Sequence, residues 1–118
     1  MIISVDPTSN TPLFEQIASA VQTQISAGKI HAGDRLPSAK QLALALDINL
    51  HTVLHAYQVL REQGLVTMRR GSGAVISSQA EAINEIHRET QSLAERAHTL
   101  GLSAEAVASL FKEAYRGL

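Results

Sequence analysis

The stretch from Leu36 to Ile76 reads LPSAKQLALALDINLHTVLHAYQVLREQGLVTMRRGSGAVI and carries the signals for two short helices. Ser38 precedes the first helix and is followed three residues later by a glutamine, a pattern that predicts a capping box. Asn49 stands where it can cap a second helix, expected over residues 50–63, and Gly64 stands where that helix would end. Because about three residues separate the two helices, the pattern predicts a helix-turn-helix.

A β-hairpin is predicted directly after the second helix. Residues 65–70 are typical of a strand, Gly71 to Gly73 of a turn, and residues 74–77 of a return strand. Arg69 and Arg70 stand at the tip, where they would bring positive charge close to another surface. A hairpin in this position is typical of the wing of a winged helix-turn-helix, here over residues 65–77.

These motifs occur in the same order in a known family. The segments PLFEQI, LPSAKQLA, INLHTVLHAY, EQGLV and RRGSGAVI resemble the DNA-binding domain of GntR-family bacterial transcription regulators. The Asn-x-His-Thr-Val pattern and the short C-terminal segment are most similar to the YtrA subfamily, in which a small helical segment replaces a large effector-binding domain.

The resemblance implies a mainly α fold with a small β-hairpin. A winged helix-turn-helix DNA-binding domain would occupy residues 1–77, and a two-helix dimerisation segment would occupy residues 78–118. The function that it implies is a sequence-specific transcription regulator, a homodimeric repressor that binds a palindromic operator. The expected partners are double-stranded DNA and a second copy of the chain.

Polar and basic side chains at the starts of the two helices and in the wing are expected to contact DNA. The second helix of a helix-turn-helix enters the major groove by its N-terminal turn, while a helix N-terminus and a wing can reach phosphates. The predicted DNA contacts are Ser38, Lys40, Asn49, His51, Thr52, His55, Arg69, Arg70, Gly71 and Ser72.

The sequence departs from the family where many members carry a basic residue. Lys40, Leu50 and Leu54 replace arginines of many GntR members, and His55 and Ser72 replace basic residues common in YtrA-like proteins. Each change removes a permanent charge or a bidentate guanine contact. A modest affinity with a strong salt dependence is therefore expected.

The charge balance does not by itself suggest a nucleic-acid partner. The chain has 118 residues and a net charge of −1, with six basic and five acidic side chains in residues 1–76 and four and six in residues 77–118. It has no cysteine, no N-terminal signal region and no apolar run of membrane-spanning length. A soluble, cytoplasmic protein without membrane association is expected.

The residues before Leu36 are expected to brace the helix-turn-helix. Residues 1–10 are interpreted as an arm that could add a strand or pack on a partner. A helix is expected to follow, capped by Thr11, with Pro12 in its first position and an apolar stripe that includes Ile17 and Val21.

The tail is predicted to form two amphipathic helices, the first over residues 81–99 and the second capped by Ser103. Two helices of this size cannot bury both apolar stripes against each other, so a two-fold dimer is favoured, and a hairpin folded on its own domain is the alternative. The predicted dimerisation residues are Ile83, Ile86, Leu93, Ala97, Leu100, Val107, Leu110 and Phe111. Any small-molecule effector would bind at the dimer interface, because two helices alone cannot enclose a pocket of the usual volume.

Other chemistries find less support. His51 and His55 have a spacing able to ligate a metal, but no third ligand lies nearby, so neither a metal nor a cofactor is expected. His87 and His98 share a face of the tail helix and are interpreted as half-exposed side chains. No nucleophile–base pair and no phosphate-binding loop indicates an enzyme. The remaining alternative is a protein-interaction or adaptor module of winged-helix fold with weakened DNA binding.

Overall fold

The computed structural model describes residues 3–70 and 73–118, which form five helices and one antiparallel hairpin. The order is α1 (Leu13–Ser26), α2 (Ala39–Leu46), α3 (Leu50–Glu62), β1 (Val66–Arg69), β2 (Gly73–Ile76), α4 (Ala80–Thr99) and α5 (Ala104–Arg116). The predicted fold class, mainly helical with a wing after the helix-turn-helix, is confirmed. The chain folds as two compact units, Met1–Asn84 and Glu85–Leu118.

The first unit is built around one apolar core. α1 contributes Ile17 and Val21 and α3 contributes Val53 and Leu60, all four with no measurable exposure. Leu65 and apolar side chains of both strands belong to the same core. Each such side chain stabilises the fold by roughly 1.5–3 kcal/mol relative to leaving it in water, so this core holds α3 firmly in place.

The start of α1 differs from the prediction. The sequence predicts Thr11 as the cap, but Pro12 occupies the cap position with a non-helical ψ of 144°, and no side chain caps the helix. Instead, the Gln16 side chain accepts a hydrogen bond from the N–H of Asp6 at 2.7 Å and donates to the carbonyl oxygens of Asp6 and Thr11. The prediction is wrong because the proline keeps an extended ψ, which places the first helical residue at Leu13.

The wing is joined to the loop before α2 as well as to its own hairpin partner. β1 pairs with β2 in antiparallel register, from Val66 opposite Ile76 to Arg69 opposite Gly73. On its other side β2 faces the loop, where the N–H of Leu36 donates to the carbonyl of Ala74 at 2.9 Å and that of Ile76 donates to Asp34 at 2.8 Å. β2 is therefore hydrogen-bonded along both edges.

The first unit extends into the start of α4. The Ser77 hydroxyl donates to the carbonyl of Gly64 at 2.6 Å, and Ala80 is buried in the core. Asn84 is buried and its side-chain amide donates to the hydroxyl of Ser26 at the end of α1. The first turns of α4 are thus part of the winged-helix core.

The second unit has little core of its own. Ala97 is its only buried side chain among the described residues, and α5 buries none. Ser103 caps α5 as predicted, its hydroxyl accepting from the N–H of Ala106 at 3.1 Å. In the part of the chain that the structure describes, no helix has both the length and the apolar character needed to cross a membrane.

Candidate nucleic-acid interface

The start of α2 presents polar groups to solvent. The Ser38 hydroxyl accepts from the N–H of Gln41, and the Gln41 side chain accepts from the N–H of Ser38, both at 3.1 Å, which confirms the capping box. The remaining N–H groups of the first turn have no partner within the helix. Ser38 and Lys40 are both exposed, so a phosphate could approach these groups directly.

Helix α3 is hydrogen-bonded to the loop that leads into α2. The Tyr57 hydroxyl donates to the carbonyl oxygen of Pro37 at 2.6 Å, and the tyrosine ring is buried. Burial raises the pKa of Tyr57 to about 12, so the hydroxyl remains protonated and able to donate to a higher pH than that of an exposed tyrosine. The two surfaces that would face DNA are therefore held in a fixed relation.

Asn49 has a structural role at the N-terminus of α3. Its side-chain oxygen accepts from the N–H of His51 at 2.8 Å, which confirms the predicted cap. Its side-chain amide group makes no other hydrogen bond among the described residues. His51 is exposed and Thr52 is half-buried, so the first turn of α3 presents both to solvent, His51 more fully.

His55 lies against α1. Its ring stacks on that of Phe14, with ring centroids 3.8 Å apart and the planes inclined by 19°. Phe14 is half-buried and packs on the core, while His55 remains exposed. The stack limits the positions of the imidazole without removing it from solvent.

The wing carries Arg69 and Arg70 at its tip, as predicted. Arg69 pairs with Gly73 at the last rung of the hairpin, and both arginines are exposed. Because side chains alternate along a strand, Met68 and Arg69 project from opposite faces of the wing. The predicted contacts Gly71 and Ser72 lie outside the described residues.

A groove lies between α3, the start of α2 and the wing. It has a volume of about 430 Å³. It is lined by Ser38, Ala39, Leu54, Tyr57, Gln58, Arg61, Met68, Gly73 and Ala74. Of these only Ser38 is among the predicted contacts. The spacing of Leu54, Gln58 and Arg61 at one helical turn would have identified them as sharing a face of α3.

The cations of α2, α3 and the wing have no carboxylate partner in the part of the chain that the structure describes. Lys40, Arg61, Arg69 and Arg70 are all exposed, and none of them forms an ion pair with a carboxylate in residues 3–70 or 73–118. Although the net charge of the chain is −1, α2, α3 and the wing each carry at least one exposed cation. Exposed cations of this kind are available to the phosphates of a nucleic acid.

Comparison with known proteins agrees with this geometry. A family model for the bacterial regulatory proteins of the gntR family matches residues 13–76, which contain α1, the helix-turn-helix and the wing. The chain belongs to the gntR family. It is a DNA-binding transcription regulator and not an enzyme, and the resemblance identified from the sequence is confirmed.

Relatives of similar length extend the likeness beyond the matched domain. The transcriptional repressor YtrA of Bacillus subtilis (strain 168) is 32% identical over 95% of this chain and 91% of its own length. A solved GntR-family regulator from Listeria monocytogenes is 28% identical, with a TM-score of 0.62 over 92% of this chain. The structure of YtrA from Sulfolobus acidocaldarius is 31% identical, with a TM-score of 0.61 over 78% of this chain and 99% of its own.

The predicted dimerisation residues lie in different environments. Ile83 is half-buried and packs on the core of the first unit. Ala97 is buried and Val107 half-buried in the second unit. The other five are exposed, namely Ile86, Leu93, Leu100, Leu110 and Phe111.

The histidines offer no further site. Among the described residues no group of three or more His, Cys, Asp or Glu side chains lies close enough together to hold a metal ion. His87 is half-buried and His98 is exposed. His98 lines a hollow of about 280 Å³ between α4 and α5, together with apolar side chains that include Leu93 and Val107.

Proposed function

We propose that the chain is a homodimeric repressor that binds a palindromic operator in the cytoplasm. The observation that carries this proposal is the set of exposed cations on α2, α3 and the wing, Lys40, Arg61, Arg69 and Arg70, which form no ion pair among the described residues. The name of the B. subtilis relative, a transcriptional repressor, supports repression as the direction of control. Expression of a reporter gene placed behind the operator would measure whether this protein represses transcription.

In the proposed complex α3 enters the major groove by its N-terminal half. His51 and Thr52 would reach base edges there, and His55 would reach them by its ring edge. Ser38 and Lys40 would contact one phosphate strand, while Arg69 and Arg70 of the wing would contact another. Asn49 would contribute through its side-chain amide nitrogen, which makes no hydrogen bond among the described residues, and Gly71 and Ser72 stay contacts predicted from the sequence.

The proposed dimer is supported by the apolar side chains of the tail. Leu110 and Phe111 on α5 are 65% and 62% exposed, and Tyr115 and Leu93 are exposed as well. An apolar stripe of this extent is unusual on a free surface and typical of an interface. A two-fold axis would also present two copies of α3 to a palindrome.

A small-molecule effector remains part of the proposal. The hollow between α4 and α5, at about 280 Å³, is close to the lower limit of ordinary ligand sites. A second subunit that covers it would enlarge and enclose it. An effector bound there could alter the spacing of the two DNA-binding units of the dimer.

The first test combines light scattering of the pure protein with gel shifts of the DNA upstream of its own gene, at two salt concentrations. We expect a dimer whose specific shift weakens steeply with salt. The logarithm of the binding constant should fall with the logarithm of the salt concentration, with a slope of about −0.9 for each phosphate contact. Replacing Lys40, Arg69 and Arg70 together by glutamine should remove the shift. A control that replaces Arg88 and Lys112 in the second unit removes charge elsewhere and should leave most of the affinity.

The dimer is tested separately. Leu110→Glu places a charge in the apolar stripe and should give a monomer that no longer binds the operator. Ser109→Glu adds the same charge on the face of α5 opposite the stripe and should leave the dimer intact. A dimer that shifts no fragment of its own locus would favour the adaptor alternative.

A further inference from the structure

The recognition helix has no side chain suited to bidentate guanine recognition over most of its length. Between Leu50 and Leu60 it contains neither lysine nor arginine, and its only cation is Arg61 in the last turn. Arginine and lysine are the usual readers of guanine in the major groove. The exposed or half-buried side chains available for base contacts from the first two turns are therefore limited to histidine, threonine and leucine.

Two leucines of α3, Leu50 and Leu54, are exposed on the same side of the helix. Leu50 and Leu54 are 42% and 46% exposed and are separated by one helical turn, so they form a short apolar strip. Leu54 lines the groove toward the wing, and Met68, which is 51% exposed, lines it from the other side. The lining of the groove thus combines the apolar side chains of Leu54 and Met68 with one cation, Arg61.

This strip is continuous with the DNA-binding surface. Ser38 at the start of α2 lines the same groove as Leu54, and Arg61, which has no ion pair among the described residues, lies about two turns beyond Leu54 on α3. A single exposed leucine has no special meaning, and Leu44 on α2 is such a case. Leu54 differs because it lines a groove together with Ser38 of the predicted DNA contacts and with Met68 of the wing.

We propose that Leu54, with Leu50 beside it, recognises the 5-methyl groups of thymines in each half-site, and that Met68 keeps water away from this contact on the side of the wing. The inference rests on the proposed function and names the operator class: half-sites with thymine, not guanine, opposite the middle of α3. The chemistry is the apolar contact that a thymine methyl makes with aliphatic side chains.

The test uses the full-length protein and DNA selected by it from a randomised double-stranded pool. Single thymines of the selected half-site are then replaced by deoxyuridine, which removes only the methyl group. We expect at least one position at which the wild-type affinity falls about fourfold, the effect of withdrawing one buried CH₂ group at about 0.8 kcal/mol.

The variant Leu54→Ala assigns that methyl group to its partner. It should bind the thymine operator several-fold more weakly than wild type and should no longer distinguish thymine from deoxyuridine at that position. Leu44→Ala, which truncates an exposed leucine of α2, should behave as wild type in both measurements. Leu54→Met keeps an aliphatic contact and should restore part of the discrimination, which excludes a folding defect as the cause.

The possible outcomes test the thymine contact and the proposed function separately. Selected half-sites without a critical thymine, or an equal effect of deoxyuridine on wild type and Leu54→Ala, would overturn the thymine contact while leaving the operator-binding function intact. A wild-type protein that enriches no sequence at all would overturn the proposed function itself, and the contact with it.

Discussion

Tyr57 Oη lies 2.6 Å from the carbonyl oxygen of Pro37, so the recognition helix is hydrogen-bonded to the loop that leads into α2. The bond joins residues 20 positions apart and is shielded by the surrounding core. It allows the two DNA-facing elements to behave as one rigid surface.

Removal of this hydrogen bond should cost stability. Tyr57→Phe keeps the ring but leaves the Pro37 carbonyl without its partner, and we expect a loss of about 0.5–1.5 kcal/mol in the free energy of unfolding. Urea unfolding followed by circular dichroism measures it. An unchanged midpoint would mean that water replaces the hydroxyl without cost.

The same tyrosine predicts a pH dependence. Burial raises its pKa from 10.0 to about 12, so the folded state holds its proton more tightly than the unfolded state. The resulting stabilisation is complete below pH 10 and is lost as the pH rises toward 12. Over that range the stability of the wild type should fall more steeply than that of Tyr57→Phe. Parallel curves for the two proteins would contradict the assignment.

Ser38 has two roles that one substitution can separate. Aspartate is as good an N-cap as serine, so Ser38→Asp should keep the stability of α2 while its negative charge repels a phosphate. We expect an unchanged unfolding midpoint and a loss of DNA affinity of at least tenfold. The matched control is Ser103→Asp at the cap of α5, which should alter neither quantity; equal losses in both variants would point to a general charge effect.

Gly64 ends α3 in a conformation that other residues resist. Its φ is +79°, and an added Cβ would lie 3.0 Å from the Cδ1 atom of Ile83. Gly28 has a similar φ of +71° but no atom within 4 Å of such a Cβ.

Gly64→Ala should therefore destabilise the fold by more than Gly28→Ala, for which the left-handed conformation alone costs about 1–2 kcal/mol. Thermal unfolding of both variants gives the difference. Adding Ile83→Val to Gly64→Ala removes the crowded methyl and should bring the two costs together. If the gap persists, the source of the excess lies elsewhere.

The stack between Phe14 and His55 should be measurable as a coupling. In a double-mutant cycle with Phe14→Leu and His55→Ala, we expect an interaction of about 0.5–1.5 kcal/mol in the free energy of unfolding, the range of aromatic pairs. Additive effects would show that the two rings are neighbours without mutual stabilisation.

Local signals in the sequence are sufficient for the caps and the wing. Ser38, Asn49 and Ser103 each cap a helix as predicted, because a capping residue acts on N–H groups two or three positions away. The prediction for Thr11 is wrong by one position, since a proline can stand either at the cap or just after it. The family resemblance then supplies the order of the elements.

Contacts between distant residues could not be predicted in the same way. The Phe14–His55 stack spans 41 positions and depends on how α1 crosses α3, which no local pattern encodes. The groove between Leu54 and Met68 likewise exists only once the wing has folded against α3. Both alter the candidate site, the first by restraining a predicted contact and the second by adding apolar ones.

A hybrid regulator made from this chain would need its junction inside α4. The hydrogen bond from Asn84 to Ser26 and the burial of Ala80 tie the first turns of this helix to the winged-helix core. A fusion that ends at Ser77 would discard these groups and expose apolar surface to the new partner. Exchanging recognition specificity between repressors of this type is therefore best done after Asn84, with the helical phase of α4 preserved across the joint.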